Sequence, residues 1–225
     1  MNNKHISKGD QKQVNVIVIG ANGQIGQEVV KQLKEKGKFN VKAAIRKEVQ
    51  KENLNHLDIE TVMLNLESSV DELASAIAGN DIVVFTAGSG GSTGYDKTLL
   101  IDLDGAIKAI EAAEQSGVKQ FIMVSAYGAD KRETWADSIK PYYVAKYYAD
   151  KALLNSSLAY TILHPTALSN SKGTGKVSLH ESSKEIPRQD VACVIAEVAG
   201  NEKAYRKSLN LFAGETAICD IEKEL

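Results

Sequence analysis

Three regularly spaced glycines near the start of the chain form a pattern that suits phosphate binding. Gly20, Gly23 and Gly26 lie between a predicted strand and a predicted helix. Gly20 permits a tight turn, Gly23 lets the backbone approach a diphosphate, and Gly26 lets the helix pack against the strand. The helix N-terminus adds free N–H groups and partial positive charge. The sequence therefore predicts a dinucleotide site at these glycines and at their neighbours Asn22, Gln24 and Ile25.

The residues that follow the second predicted strand indicate which dinucleotide, NAD(H) or NADP(H), the site would prefer. Proteins that prefer NAD place an Asp or Glu there, where it accepts hydrogen bonds from the ribose hydroxyls. This chain has Arg46 and Lys47 instead. An arginine can bind a 2′-phosphate through two hydrogen bonds. We expect a preference for NADP(H) over NAD(H); the alternative is that both cations are ordinary solvated surface residues.

A tyrosine and a lysine four residues apart suggest proton transfer. Tyr142 and Lys146 lie on one face of a predicted helix. A nearby ammonium is expected to lower the pKa of the phenol, which could then exchange a proton with a carbonyl or alcohol. Lys146 could also bind the nicotinamide ribose, and Ser125, at a strand end, could orient the substrate oxygen. Such pairs also occur by chance, and neighbouring tyrosines offer other registers.

Residues at the ends of other predicted strands are further candidates, because ligands of parallel sheets bind at the carboxyl ends of the strands. The end of the third strand could meet the adenine, and the end of the fourth could approach the nicotinamide ribose. A histidine that ends the sixth strand could donate a proton near the nicotinamide or merely cap the strand. These candidates are Asn65, Leu66, Thr86, Ala87, Gly88 and His164.

Short β-branched runs alternate with amphipathic segments along the chain. This alternation predicts an α/β fold in one domain, with a doubly wound, Rossmann-type parallel sheet in a three-layer α/β/α arrangement. The predicted strands are 14–19, 41–45, 60–64, 81–86, 120–125, 160–163 and 208–212. The predicted helices are 24–36, 70–78, 98–116, 141–154 and 190–199, with a weaker one in 47–57. Segments 88–97 and 171–185 are predicted to be mainly loop.

Composition narrows the classes of function. The chain has 225 residues, a formal net charge of −2 and two cysteines. It lacks the basic surplus typical of nucleic-acid binding, and its Cys and His residues lack metal-ligand spacing. We expect a flexible tail at 1–13, a folded domain at 14–225, no membrane segment and a cytoplasmic location. The expected partner is a small-molecule substrate, bound by a monomer or homodimer.

Together these motifs resemble the atypical branch of the short-chain dehydrogenase/reductase superfamily, including its epimerase/dehydratase-like, NmrA-like and flavin/biliverdin-reductase-like members. The resemblance covers about residues 14–212. It is carried by 20–26, Arg46, Asp102-Leu103-Asp104-Gly105, Val124-Ser125-Ala126, 142–150, 160–165 and Ile186-Pro187-Arg188-Gln189-Asp190-Val191-Ala192.

The resemblance implies a dinucleotide bound across the strand ends, and Ser125, Tyr142 and Lys146 as the positions of the superfamily's Ser-Tyr-Lys set. This branch often does not use that Tyr–Lys pair. The leading expectation is an oxidoreductase that transfers hydride between NADP(H) and a small carbonyl, quinone or flavin-like acceptor. The alternatives are a non-catalytic, NmrA-like redox sensor that binds NADP(H), and an epimerase or dehydratase that uses the nucleotide transiently.

Overall fold

A mostly parallel β-sheet forms the centre of the molecule, as the apolar runs predict. The structure is a computed structural model that describes residues 13–91 and 93–225. Buried β-branched and apolar side chains make up the central strands, so both faces of the sheet are covered. The strands are β1 (Val14–Ile19), β2 (Phe39–Ile45), β3 (Glu60–Met63), β4 (Ile82–Phe85), β5 (Gln120–Val124), β6 (Ala159–Pro165), β7 (Ala167–Ser169), β8 (Lys176–Ser178), β9 (Glu185–Pro187), β10 (Lys207–Ala213) and β11 (Thr216–Ala217).

The strand order confirms the doubly wound Rossmann-type fold. The main sheet runs β11-β8-β10-β6-β5-β4-β1-β2-β3. All pairings from β3 to β10 are parallel, whereas β8 pairs antiparallel with β10 and β11. β7 and β9 form a separate two-stranded parallel sheet. Because the chain winds outward from β1 in both directions, a crevice opens between the carboxyl ends of β1 and β4.

Helices cover both faces of the sheet and form two apolar cores. α1 and α6 pack on one face, and α2, α4 and α5 pack on the other. The α-helices of the described residues are α1 (Gln24–Glu35), α2 (Val70–Ile77), α3 (Tyr95–Lys97), α4 (Ala106–Gln115), α5 (Lys140–Leu154) and α6 (Arg188–Val198). The described 3₁₀ helices are Glu48–Leu57, Arg132–Thr134, Asp137–Ile139, Glu202–Ala204 and Ile218–Lys223.

The long helix predicted for 98–116 differs most from expectation. It begins earlier, with α3, and a π-helical segment, Thr98–Gly105, connects α3 to α4. The wider π turns shift the buried face by one residue. Leu99 precedes Leu103 and Ala106 at the spacing typical of one buried helix face, yet it is 50% exposed, whereas Asp102 is 1% exposed. A π turn inside a helix often marks a functional site.

The elements after β6 were predicted less completely. β7, β9 and β11 were not expected, and β8 lies within a segment predicted to be mainly loop. These strands have two or three residues each, too few to show a periodicity. α6 also begins two residues early, directly after Pro187, which suits the position before a helix. The other strands and helices were predicted to within about two or three residues of their observed ends.

Two negative observations concern the described residues only. None of their helices is long and apolar enough to cross a membrane. No group of three or more His, Cys, Asp or Glu among them could hold a metal ion. The predicted tail at 1–13 lies outside the described residues apart from Gln13. The single domain at 14–225 stays a prediction.

Candidate functional site

The glycine turn after β1 forms a cradle that side chains would fill. Gly20 has φ +88°. A Cβ there would lie 2.6 Å from the backbone nitrogen of Ala87, and a Cβ on Gly26 would lie 2.1 Å from the carbonyl oxygen of Gly20. Gly26 is buried beneath the turn, so it shapes the cradle without lining it. The turn therefore fits a ligand that approaches the backbone itself.

The start of α1 supplies the charge for this cradle. Gly23 is the N-cap residue, and the first turn of the helix contains no acidic side chain. The N–H groups of Gln24 and its neighbours have no intrahelical acceptor at this position. Gly23, Gln24 and Ile25 line the cavity beside the turn. Backbone donors, the helix dipole and the lack of a carboxylate together fit the diphosphate of a dinucleotide.

A cavity of about 350 Å³ lies on the β2 side of the turn. Its apolar walls suit an adenine ring, and Arg46 lies exposed at its rim beside Gln50. The two residues directly after β2 are cations, Arg46 and Lys47, so no acid occupies the position that NAD-preferring proteins use. Lys47 is also exposed but does not line the cavity. The predicted residues that do line it are Gly20, Asn22, Gly23, Arg46, Asn65, Leu66, Thr86, Ala87 and Gly88.

A second cavity, of about 740 Å³, continues from the first across Gly23 and the end of β4. Ser125 follows β5, whereas Tyr142 and Lys146 lie on one face of α5, and all three line this cavity. The tertiary structure thus brings together the three residues that the sequence proposed for proton transfer. The two cavities form one cleft along the strand ends, with room for a dinucleotide and a small second ligand.

Lys146 is held by two oxygen partners. Its Nζ donates to the carbonyl oxygen of Val124 at 3.2 Å and lies 3.6 Å from Oδ1 of Asp102, and the side chain is buried. The other oxygen of Asp102 accepts from the N–H of Ser89 at 2.9 Å. An ammonium has three N–H donors, so one donor of Lys146 stays available to the cavity. Asp102 was not predicted as a site residue, although it belongs to the run from 102 to 105 on which the resemblance rests.

Tyr142 corrects one expectation. Burial raises the pKa of its phenol above the ordinary value of 10.0, and this effect outweighs the lowering by Lys146. Asp102 raises the pKa further and so opposes its ion-pair partner. The sequence prediction that Lys146 lowers the pKa of Tyr142 into a useful range was therefore wrong in net direction. The phenol is neutral near pH 7 and holds its proton.

Ser125 is tied to a buried carboxylate rather than free. Its Oγ donates to Oδ2 of Asp150 at 2.9 Å, and the same oxygen lies 3.0 Å from Nε2 of His164. Nδ1 of His164 is 3.3 Å from Oγ of Ser208. With its proton directed at Asp150, Ser125 offers lone pairs to the cavity.

His164 does not line either cavity. It is 6% exposed and paired with Asp150, so of the two expected roles, proton donation at the cleft or capping of the strand, its position does not favour the first. The prediction assumed that a residue at the end of a strand reaches the crevice. The side chain of His164 instead lies beneath α5, where it contacts Asp150. Asp150 itself was missed, although it lies four residues after Lys146 on the same helix face.

Arg188 is a further cavity residue that was not among the predicted site residues. It begins α6, and it lines the larger cavity together with Leu168. The signal was present in the sequence, since Arg188 belongs to the run from 186 to 192 on which the resemblance rests. Nothing in the spacing of that run showed which side chain would face the cleft.

Known proteins share this arrangement over nearly the whole chain. A family model described as NAD(P)H-binding matches residues 20–202. The uncharacterized sugar epimerase YhfK of Bacillus subtilis is 49% identical over 212 residues, which cover 93% of this chain and 99% of that protein.

Two solved structures are similar as well. A Bacillus halodurans protein named as an NAD-dependent epimerase/dehydratase has a TM-score of 0.88 and 42% identity, covering 94% of this chain and all of the other. The oxidoreductase ylbE of Lactococcus lactis has a TM-score of 0.86 and 30% identity, covering 94% of this chain and 96% of the other. The family match spans the glycine turn, the cleft and α5. The chain therefore belongs to the NAD(P)H-binding family of Rossmann-type proteins.

Proposed function

We propose that this protein is an NADP(H)-dependent oxidoreductase that reduces a small carbonyl, quinone or flavin-like acceptor. One observation carries the proposal: a protonated phenol, Tyr142, faces a cavity that continues directly from the dinucleotide cleft. When bound, the reduced dinucleotide supplies a hydride. A second ligand in the 740 Å³ cavity would then lie beside both the dinucleotide cleft and Tyr142.

The residues of the cavity supply the proton that such a reduction needs. The Tyr142 hydroxyl gives its proton to the acceptor oxygen, and the phenolate recovers one from water. Lys146, whose Nζ lies 5.8 Å from the centre of the Tyr142 ring, stabilises the phenolate in the meantime. Ser125 positions the acceptor by accepting a hydrogen bond. Turnover of the acceptor should therefore depend on Ser125, Tyr142 and Lys146.

A reductase is favoured over an epimerase by the protonation state of Tyr142. An epimerase that works by transient oxidation first removes a proton from an alcohol, which requires a basic group. A phenol whose pKa is raised is a poor base at neutral pH and an available acid. The name of the Bacillus subtilis relative makes the epimerase the second candidate. Assays with substrates of both classes separate the two candidates.

The Tyr142→Phe variant tests the proposal. We expect steady NADPH oxidation with an acceptor panel of aldehydes, quinones and flavins, and at least about a hundredfold loss of kcat in the variant, because general acid catalysis is worth about 10²–10⁴. Tyr143→Phe is the matched control, since Tyr143 stacks on Trp135 and does not line the cavity. Unchanged turnover in Tyr142→Phe would remove Tyr142 from the mechanism.

The same assay distinguishes the alternatives. Turnover of a sugar substrate without net NADPH consumption would identify an epimerase or dehydratase. Tight NADPH binding without turnover of any acceptor, together with a protein partner in a pull-down, would identify a redox sensor. Either result would overturn the reductase proposal.

The preference for NADP(H) is proposed from Arg46 and from the lack of an acid after β2. A guanidinium at the rim of the adenosine cavity can bind a 2′-phosphate bidentately. In titrations with NADPH and NADH, we expect Arg46→Gln to weaken NADPH binding about tenfold and to leave NADH binding nearly unchanged. Lys51→Gln, an exposed cation on the following 3₁₀ helix, controls for net charge. Equal binding of both nucleotides by the wild type would refute the preference.

A further inference from the structure

The larger cavity contains a guanidinium that the proposed chemistry does not use. Arg188 begins α6 and lies half-buried on the cavity wall, where the small β7–β9 sheet closes one side. Its Nη1 donates to the carbonyl oxygen of Leu168 at 3.1 Å and to Oδ1 of Asn170 at 2.7 Å. Two acceptors on one nitrogen fix the orientation of the group. The remaining N–H donors of the guanidinium are not used by these contacts.

The charge of Arg188 is not neutralised by a nearby acid. Among the described residues, no carboxylate forms an ion pair with it. Asp190 lies only two positions further along α6, but its oxygens accept from the backbone N–H groups of Thr174 and Gly175 at 2.9 Å each. The carboxylate of Asp190 therefore holds a loop in place. A half-buried guanidinium that keeps spare N–H donors and has no acidic partner is suited to bind an anionic ligand.

The other charges of the cavity leave Arg188 in excess. Lys146 and Asp102 also line the cavity and offset each other at 3.6 Å. The raised pKa of Tyr142 keeps its phenol neutral near pH 7. The described part of the cavity lining thus carries one net positive charge, located on a planar group suited to an oxyanion.

We propose that Arg188 binds an anionic oxygen group, a carboxylate or phosphate, of the second ligand in this cavity. The substrate class is then narrower than small carbonyl compounds in general: it is a carbonyl, quinone or flavin-like acceptor that bears an oxyanion. This inference rests on the proposed function in taking the ligand as a reducible acceptor. Tyr142 and Arg188 line the same cavity, so the two would hold one molecule by its reacting oxygen and by its charge.

A matched pair of aromatic aldehydes tests the inference. The probes are 4-carboxybenzaldehyde and methyl 4-formylbenzoate, which share the ring and the aldehyde and differ in charge. Calorimetric binding to the protein with NADP⁺ measures affinity without turnover, because the oxidised nucleotide cannot reduce either probe. We expect the wild type to bind the carboxylate about tenfold more tightly than the ester. The same ratio is expected in kcat/KM when NADPH is supplied.

Three variants separate the interpretations. Arg188→Gln should abolish the preference for the carboxylate, and Arg188→Lys should retain part of it, since the charge stays while the fork of donors is lost. Arg206→Gln is the control, because Arg206 donates to the carbonyl oxygen of Ser157 outside both cavities. Melting curves of each variant show that the fold is kept.

Each outcome bears on the inference separately from the proposed function. A carboxylate preference that Arg188→Gln removes, without turnover of either aldehyde, supports the inference and counts against the reductase. Equal affinity of the wild type for both probes overturns the inference. So does a preference that survives in Arg188→Gln. A weaker affinity of Arg188→Gln for NADP⁺, with the probe ratio unchanged, would assign Arg188 to the cofactor diphosphate and also overturn it.

Discussion

Burial and charge compete over a single hydroxyl at Tyr142. Burial disfavours the phenolate, Lys146 favours it, and Asp102 disfavours it again, so the net effect raises the pKa. The ammonium of Lys146 lies four residues from Tyr142, but Asp102 offsets its charge. The sequence alone did not indicate that Asp102 would lie there. Among residues 13–91 and 93–225, no side-chain hydrogen bond affects the titration of this phenol. Its proton is therefore free to be donated to a ligand.

The raised pKa gives a prediction for the pH dependence of reduction. The acid form of Tyr142 is required, and a pKa above 10.0 keeps that form populated as pH rises. We expect kcat to stay level from about pH 7 to pH 10 and to fall only above it. Stopped-flow NADPH oxidation across this range is the measurement. A decline centred well below pH 10, absent from Tyr142→Phe, would contradict it.

Asp102→Asn sharpens the same test. Removing the carboxylate takes away one of the effects that raise the pKa of Tyr142, while burial still raises it, so the pKa should fall toward its ordinary value. The alkaline limb of the pH profile should therefore move to lower pH in this variant. A shift in the opposite direction would show that Asp102 does not act on the phenol through charge.

At the scale of elements, α5 and the π-helical segment Thr98–Gly105 position most of the charged groups. Tyr142, Lys146 and Asp150 follow one another at intervals of four along α5, so one helix face carries acid, ammonium and carboxylate. The π-helical segment turns Asp102 toward that face. Asp150 then joins α5 to β5 and β6 through Ser125 and His164.

The buried Asp150–His164 pair should contribute to stability as a unit. Asp150→Asn should lower the free energy of unfolding by about 2–4 kcal/mol, because it weakens two hydrogen bonds to a buried carboxylate. In a double-mutant cycle with His164→Gln we expect coupling of about 1–3 kcal/mol, measured by urea unfolding. The exposed Asp130→Asn should change stability by less than about 0.5 kcal/mol. Additive single effects would show that the two residues do not interact.

At the scale of the whole molecule, the cleft exists because the chain reverses its direction of winding between β1 and β4. α1 covers one face of the sheet next to the reversal and α4 covers the opposite face, and neither helix covers the strand ends between β1 and β4. The glycine turn, Arg46 and the Tyr142 cavity lie along this one edge. A bound dinucleotide would therefore contact elements from both halves of the sheet.

Such a ligand should stabilise the fold as a whole. At a hundredfold excess over its Kd, NADPH adds about 2.7 kcal/mol, and for a chain of this length each kcal/mol raises Tm by about 2–4 °C. We expect an increase of about 5–10 °C with NADPH in a thermal-shift assay, and a smaller one with NADH at equal concentration. No increase with either nucleotide would contradict dinucleotide binding to the folded protein.

Local patterns predicted much of the fold and the cofactor half of the site. The glycine turn, the α1 N-terminus and Arg46 are adjacent along the chain or follow consecutive strands, so their positions depend on short-range rules. The larger cavity, which contains Tyr142, was predicted only in part. Ser125, Tyr142 and Lys146 do meet in one cavity. Lys47 and His164 do not line the cleft, and Asp102, Asp150 and Arg188 were not foreseen as site residues.

The sequence by itself determined the alternation of strands and helices, the phosphate-binding turn and the absence of an acid after β2. These features follow from residue type and spacing, which act within a few positions of one another. Only the tertiary structure decided the direction of the pKa shift of Tyr142, the partner of Ser125 and the position of Arg188 on the cavity wall. Burial and the approach of groups distant in sequence control those properties, and neither is encoded in any single segment. The glycine turn thus specifies the cofactor class locally, whereas the chemistry depends on which side chains the packed elements bring beside it.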